Sequence, residues 1–313
     1  MVTTRMPFER RIGTALTAAL AITAACDRKH HETPAPPPPP IAPAPRGCSL
    51  PALPLKVEPR GRVVAVGDLH GDFGATRDVL RAAGLIDASD HWSGGTATLV
   101  QAGDMLDRGD GESQILALFE RLDGEAAKAG GQVVQLLGNH ELMNAAHDFR
   151  YVTPGGMKDF HGDREHELGP GGVWAKRLAK HNVIAIVGDT LVSHAGVLPA
   201  WTDALDQINH DARCWLDAQE PTPPAALTSD DSPVWTRAWG GDTVDCAQLQ
   251  KVLAAVGAKR MVVAHTVQKA GINAQCDGAL WRIDVGLARL YDGPIQALEL
   301  GDAPKVITGQ RTP

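Results

Sequence analysis

The chain has 313 residues, 43% of them hydrophobic, and a formal charge of −7 at pH 7. That is enough apolar material for one large core. The acidic balance, without a stripe of clustered Lys and Arg, excludes a protein that tracks a nucleic-acid backbone.

Arg5, Arg10 and Arg11 precede an apolar run from Ile12 to Ala25. At about 14 residues the run is shorter than the roughly 20 a membrane-spanning helix needs, so residues 1–25 are expected to be an export signal. Thr23-Ala24-Ala25-Cys26 is similar to a bacterial lipobox, which makes Cys26 a candidate lipid anchor, with plain signal cleavage as the alternative. The expected location is therefore outside the cytoplasm, either periplasmic or as a membrane-anchored lipoprotein. Residues 26–47 are a Pro-rich linker that favours extended polyproline II, and residues 48–313 are left for a single folded domain.

Within that domain, Arg62 to Val66 is a short β-branched apolar run ending at Gly67-Asp68. The same pattern recurs at Ala97 to Ala102 before Gly103-Asp104, and at Gln132 to Leu137 before Gly138-Asn139. Helices are predicted over 73–83 and 112–129, where apolar stripes have helical spacing. The order β-α-β-α-β implies a mostly parallel sheet whose carboxyl ends gather the three Gly-Asp or Gly-Asn pairs. Residues 145–181 are rich in Gly and charge and are expected to form a cap of loops and short helices over that crevice. Val183 to Val187 and Thr190 to His194 read as a hairpin turning at Gly188-Asp189, and further strands are expected at 260–264, 280–284 and 295–300. The whole is an α/β protein with two sheets face to face and helices outside.

Cys48, Cys214, Cys246 and Cys276 are an even number in an oxidising compartment, so two disulfides can form in any of three pairings; the other reading is free buried thiols. His161-Gly162-Asp163-Arg164-Glu165-His166-Glu167 has no strand-end placement and reads as a mobile charged loop.

A lone Gly-Asp or Gly-Asn is usually a turn, but three in this order, each closing a strand, need another explanation. Gly67-Asp68-Leu69-His70-Gly71, Gly103-Asp104-Met105-Leu106-Asp107-Arg108-Gly109 and Gly138-Asn139-His140-Glu141 together resemble the calcineurin-like metallophosphoesterases of the phosphoprotein phosphatase (PPP) type. Ser193-His194-Ala195-Gly196, Pro233-Val234-Trp235-Thr236-Arg237 and Ala264-His265-Thr266 agree, so the likeness spans residues 62–286. Asn139 to Asn144 and Arg150-Tyr151-Val152 are most similar to the bacterial Shewanella-like branch.

The resemblance implies a four-layer α-β-β-α sandwich with a dinuclear centre. Asp68, His70 and Asp104 would hold one divalent ion, and Asp104, Asn139, His194 and His265 the other. The mixed oxygen and imidazole donors suit Mn²⁺, Fe or Zn²⁺. Asp68 and His70, two apart at a strand end, are expected to point the same way. Arg108 and Arg237 would grip phosphate oxygens, and His140 would be the general acid, oriented by Asp107. Asp284 is expected to accept a hydrogen bond from His265, and Ala264, where relatives carry Gly, to restrict the turn before that ligand. The activity implied is metal-dependent hydrolysis of a phosphorylated substrate, a phosphoprotein or a small phosphate ester. Dinucleoside polyphosphate hydrolysis and a non-catalytic metal- or phosphate-binding module are the alternatives.

Overall fold

A computed structural model describes residues 47–312; the expected signal, Cys26 and the linker to residue 46 lie outside the described residues. Two sheets carry the architecture. In the first, β2 (Val63–Val66), β3 (Thr98–Gln101) and β4 (Gln132–Gln135) run parallel, joined by α1 (Phe73–Ala82) and α2 (Glu112–Lys128). β10 (Gln296–Leu300) and β11 (Lys305–Thr308) extend the sheet antiparallel beyond β2. The parallel reading thus holds for the three motif-bearing strands and not for the C-terminal pair.

The second sheet has the order β1-β5-β6-β7-β9-β8, from β1 (Lys56–Val57), β5 (Ile184–Val187), β6 (Thr190–Ser193), β7 (Arg260–Val263), β8 (Asn273–Gln275) and β9 (Leu280–Arg282). β5 and β6 form the expected antiparallel hairpin, and β6, β7 and β9 run parallel.

Strand residues alternate between two apolar layers because both faces of each sheet are covered. Ala65, Val100, Ala185, Val187, Val192, Val262 and Leu298 pack between the sheets. Their neighbours Val64, Val66, Leu99, Ile184, Ile186 and Leu191 face the outer helices. On the helix side, Ala75, Val79 and Leu80 of α1 and Ile115, Leu118, Phe119 and Leu122 of α2 supply the predicted stripes. Helices α6 (Leu205–Leu216), α7 (Ala225–Thr228) and α8 (Cys246–Val256) belong to the other half. The result is the expected four-layer arrangement in one domain.

Residues 145–181 contain two 3-10 turns and the short helices α4 (Arg164–Leu168) and α5 (Val173–Leu178), with α4 packed on α3 (Asn139–Ala145). The charged run at 161–167 is not a solvated loop: Arg164 is 1% exposed, among the most buried large side chains described. Cys48 pairs with Cys214 and Cys246 with Cys276, which selects one of the three pairings and removes the free-thiol reading.

Candidate dinuclear metal centre

The three motif-bearing strands of the first sheet end with none, one and two residues left before Gly67, Gly103 and Gly138, and the loops that follow approach one another closely. Gly103 has φ +93° and a Cβ there would lie 2.5 Å from the Gly138 nitrogen, so only glycine lets these two loops touch. Glu141 then ties them: its carboxylate accepts from the backbone nitrogens of Asp104 (2.9 Å), Met105 (2.8 Å), Leu106 (3.2 Å) and Gly138 (2.7 Å). His194 follows β6 and His265 follows β7, so the second sheet delivers its donors to the same place.

Backbone strain concentrates here. His70, Asp104, Asp107, Arg108 and His265 all have φ between 44° and 68°, a region that side chains other than Gly and Asn rarely enter and that clusters at functional sites. This corrects the reason given for Asp68 and His70. β2 ends at Val66, and a left-handed turn at His70, not strand pleating, brings His70 Nε2 to 3.6 Å from Asp68 Oδ2. At the other loop, Ala264 keeps a negative φ, and His265 itself carries the left-handed geometry at φ 65°. The methyl of Ala264 therefore restricts nothing.

Asp104 Oδ2 is the hub. It lies 3.1 Å from His194 Nε2, 3.7 Å from His140 Nε2 and 3.9 Å from His70 Nε2, while Oδ1 accepts from the His140 backbone nitrogen at 2.9 Å. The far nitrogen of each metal-side imidazole faces a backbone carbonyl: His70 Nδ1 to Leu106 (3.0 Å), His194 Nδ1 to Ala102 (2.9 Å) and His265 Nε2 to Trp235 (3.1 Å). A carbonyl only accepts, so those nitrogens carry a proton, and a neutral ring would turn its lone pair inward. His194 Nε2 meets Asn139 Oδ1 at 2.9 Å and Asp104 Oδ2 at 3.1 Å, so one inward nitrogen faces two oxygens. Such an arrangement calls for cations between the donors, and fixed outer protons are how metal-ligating histidines are oriented.

Electrostatics agree. Burial and the neighbouring Asp284 carboxylate push Asp68 well above the usual carboxylate range. Burial also drives His70 down to about 4, and burial with His194 drives His265 down to about 3. Burial opposes charge on His194, but Asp104 and Asp68 outweigh it and raise it to about 10, so the inward nitrogen holds a proton whose place a bound cation would take. These buried carboxylates repel one another, and divalent cations would relieve that repulsion. The donor set fits two such ions. All six expected ligands converge, and donor atoms of Asp104, His194 and His265 lie within 4.8 Å of one another. Those of His70, Asp104 and His140 do the same, which makes His140 a geometric competitor for the ligand role.

Around the donors is a cavity of about 260 Å³ lined by Arg108, His140, Tyr151, Trp235, Arg237 and Tyr291, besides the ligands. It is below the range of roughly 300–1,000 Å³ for drug-sized ligands, and suits a phosphoryl group with part of its leaving group. Arg108 is held between Tyr151 and Tyr291, 4.5 and 5.4 Å from their ring centres. Its Nη2 lies 3.4 Å from His140 Nε2. Arg237 reaches Thr266 Oγ1 at 3.2 Å and leaves the rest of its guanidinium facing the cavity rim. His140 Nδ1 meets Asp107 Oδ2 at 2.5 Å, as expected.

A family model described as calcineurin-like phosphoesterase matches residues 61–269. The chain belongs to the calcineurin-like phosphoesterases. This phosphoesterase is 36% identical over 301 residues to Shewanella-like protein phosphatase 2 of Arabidopsis thaliana, covering 79% of this chain and 77% of the relative. It is 30% identical over 246 residues to Shewanella-like protein phosphatase 1 of Plasmodium berghei, covering 73% and 67% of the two chains. Among solved structures, the cold-active protein-tyrosine phosphatase of a psychrophilic Shewanella species superposes with a TM-score of 0.72 at 24% identity, over 82% of this chain and 83% of that one. The phosphoesterase is thus of the PPP type, a metal-dependent phosphatase with Shewanella-like relatives.

One expectation fails. Asp284 does not touch His265; its Oδ1 accepts from Gly286 N at 2.9 Å, and its buried Oδ2 has no hydrogen-bond partner in the protein. Burial raises it to about 6. Sequence reading also passed over Glu141, Arg164, Tyr151 and Tyr291. Only Glu141 carried a local signal, its position three residues after the helix-capping Gly138.

Proposed function

We propose that this phosphoesterase is a phosphomonoesterase of protein-phosphatase kind in which Asp104 would contribute to holding both of two divalent ions of the Mn²⁺, Fe or Zn²⁺ type. Asp68 and His70 complete one ligand set, and Asn139, His194 and His265 the other. Bound ions of this kind lower the pKa of water and neutralise charge on the phosphoryl oxygens. The protein does the rest. Arg108 and Arg237 orient the phosphate with forked donors, and the tyrosines on either side of Arg108 limit how far it can swing. His140 holds a proton on Nε2 for the departing oxygen, while Asp107 fixes Nδ1 and so the plane of the ring. The observation that carries the reading is Asp104 Oδ2 beside the imidazole nitrogens of His70 and His194, next to the His140–Asp107 acid–carboxylate pair that a mere binding module does not need.

The test is reconstitution with Mn²⁺ followed by a panel of aryl phosphate, phosphotyrosyl and phosphoseryl peptides, and a dinucleoside polyphosphate, with elemental analysis alongside. Monoester turnover that disappears on chelation and returns with Mn²⁺ is expected. Faster cleavage of the dinucleotide would favour the polyphosphate hydrolase, and bound metal without turnover would favour a binding module.

Residues 1–25 serve as an export signal in this reading, with Cys26 as the acylation site. Two disulfides in the domain support an oxidising compartment. Metabolic labelling with a radioactive fatty acid tests the anchor: label lost in Cys26→Ala supports it, and an unlabelled wild-type chain shows plain cleavage.

A further inference from the structure

Arg164 comes from the segment between α3 and β5, outside the motifs that carry the family likeness, yet its guanidinium lies behind the acid side of the site. All five of its N–H donors have an acceptor. Nε donates to Asn144 Oδ1 at 2.7 Å; Nη1 to Glu112 Oε2 and to the Gly156 carbonyl at 3.1 Å; Nη2 to Asp107 Oδ1 at 3.1 Å and Glu112 Oε1 at 2.9 Å. Phe160 covers the remaining side, its ring centre 5.2 Å away. Asn144 also reaches Asp107 Oδ1, at 2.8 Å, and the His140 carbonyl, at 2.9 Å.

The two oxygens of Asp107 therefore have separate work. Oδ2 faces His140 Nδ1, and Oδ1 is clamped by Arg164 and Asn144. Glu112 accepts from the Asp107 backbone nitrogen, so Arg164 fixes both the carboxylate and the peptide that bears it. With Oδ1 held by one guanidinium N–H and one amide N–H, and the guanidinium itself anchored by its fork on Glu112, the carboxylate is restrained from rotating at Oδ2.

We propose that Arg164 is a positioning residue for leaving-group protonation: through Asp107 it sets the orientation of His140. This rests on the phosphatase reading and on His140 as its acid. The role is separable from simple structural support, because protonation matters only where the departing oxygen is a poor leaving group.

The experiment compares kcat for phenyl phosphate, which needs a proton on the leaving oxygen, with kcat for 2,4-dinitrophenyl phosphate, which does not. Both are measured on the Mn²⁺-reconstituted enzyme. Arg164→Met is expected to lower kcat on phenyl phosphate by about 30- to 100-fold, within the range assigned to a general acid, and on the dinitrophenyl ester by less than fivefold. KM and metal content should be unchanged. Arg164→Lys should fall between. In an Asp107→Asn background, adding Arg164→Met should leave the ratio of the two rates within about twofold, since the route to His140 is already cut.

Removing one partner of a buried ion pair can prevent folding. If Arg164→Met does not fold, the same ratio is read on Arg164→Lys and on Arg164→Met combined with Glu112→Gln, which removes the carboxylate otherwise left unpaired. Equal losses on the two esters, or loss of metal, would overturn the positioning role while the phosphatase reading stands. A wild-type protein that cleaves neither ester would sink the phosphatase reading first.

Discussion

Asp104 and Asp107 sit three positions apart on one loop; both are buried and both have a left-handed backbone. Yet they work in different surroundings. Asp104 turns an oxygen toward three imidazoles, two of which, His70 and His194, have their outer nitrogens fixed by backbone carbonyls. Asp107 turns one oxygen to a single imidazole and the other to an amide and a guanidinium. A short loop thus separates the carboxylate we propose to bind cations from one that faces a single imidazole, by what each is given to face, as paired carboxylates elsewhere take different roles from their environments.

The sharpest way to break that contrast is Asp104→Asn. Removing the bridging charge should release both ions and lower kcat/KM at least about 10⁴-fold, because the ions supply both nucleophile and charge neutralisation. Elemental analysis checks the metal, and retention of two ions would show that the hub lies elsewhere. His140→Ala comes next, with turnover down roughly 10²- to 10³-fold and the metal retained. Equal loss of metal and turnover would move His140 into the ligand shell that its distance to Asp104 also allows. Glu141→Gln touches neither aspartate side chain but loosens the loop beneath both. Metal affinity is expected to weaken about 10- to 100-fold, as for other residues that support ligands, with a lower melting temperature.

The smallest effect is a control remote from the loop. Glu125 accepts from the Trp92 backbone nitrogen at 2.7 Å, and that hydrogen bond, with the contacts to His91 and Arg121, holds its carboxyl down to about 2. A carboxyl depressed in the folded state stabilises the fold above its unfolded value of about 4.5, and that contribution fades as pH falls toward 2. Glu125→Gln should therefore cost well under about 1 kcal/mol at neutral pH, as exposed pairs do, and nothing in strong acid. Melting curves at pH 7 and pH 3 test it, and any change in kcat would show that the loop is not insulated from the surface.

How much of this was readable depended on distance along the chain. Asp68, Asp104 and Asn139 announce themselves because the strand, the glycine and the ligand are adjacent, so the local pattern contains the geometry. His194 and His265 follow strands in the same way, and the family likeness sufficed to assign them. Arg164 is the opposite case. Its neighbours Asp163, Glu165 and His166 are exposed, and the partners that bury it, Asp107 and Glu112, lie more than fifty positions upstream. No periodicity in a charged stretch can show that one of its residues turns inward. The pairing of Asp68 with His70 shows a further limit, since the convergence was anticipated from strand geometry and is achieved by a backbone turn instead. Asp284, placed beside the wrong partner, failed because the sequence does not show which of several nearby donors a buried carboxylate will face.

The two tyrosines that flank Arg108 are the only ones in the chain. Biosynthetic replacement by fluorotyrosine would therefore produce a protein with two fluorine NMR resonances, both at the entrance to the cavity and neither from the background. Phosphate, product or a stalled peptide entering beside the guanidinium would shift them, giving a readout of occupancy that needs no turnover.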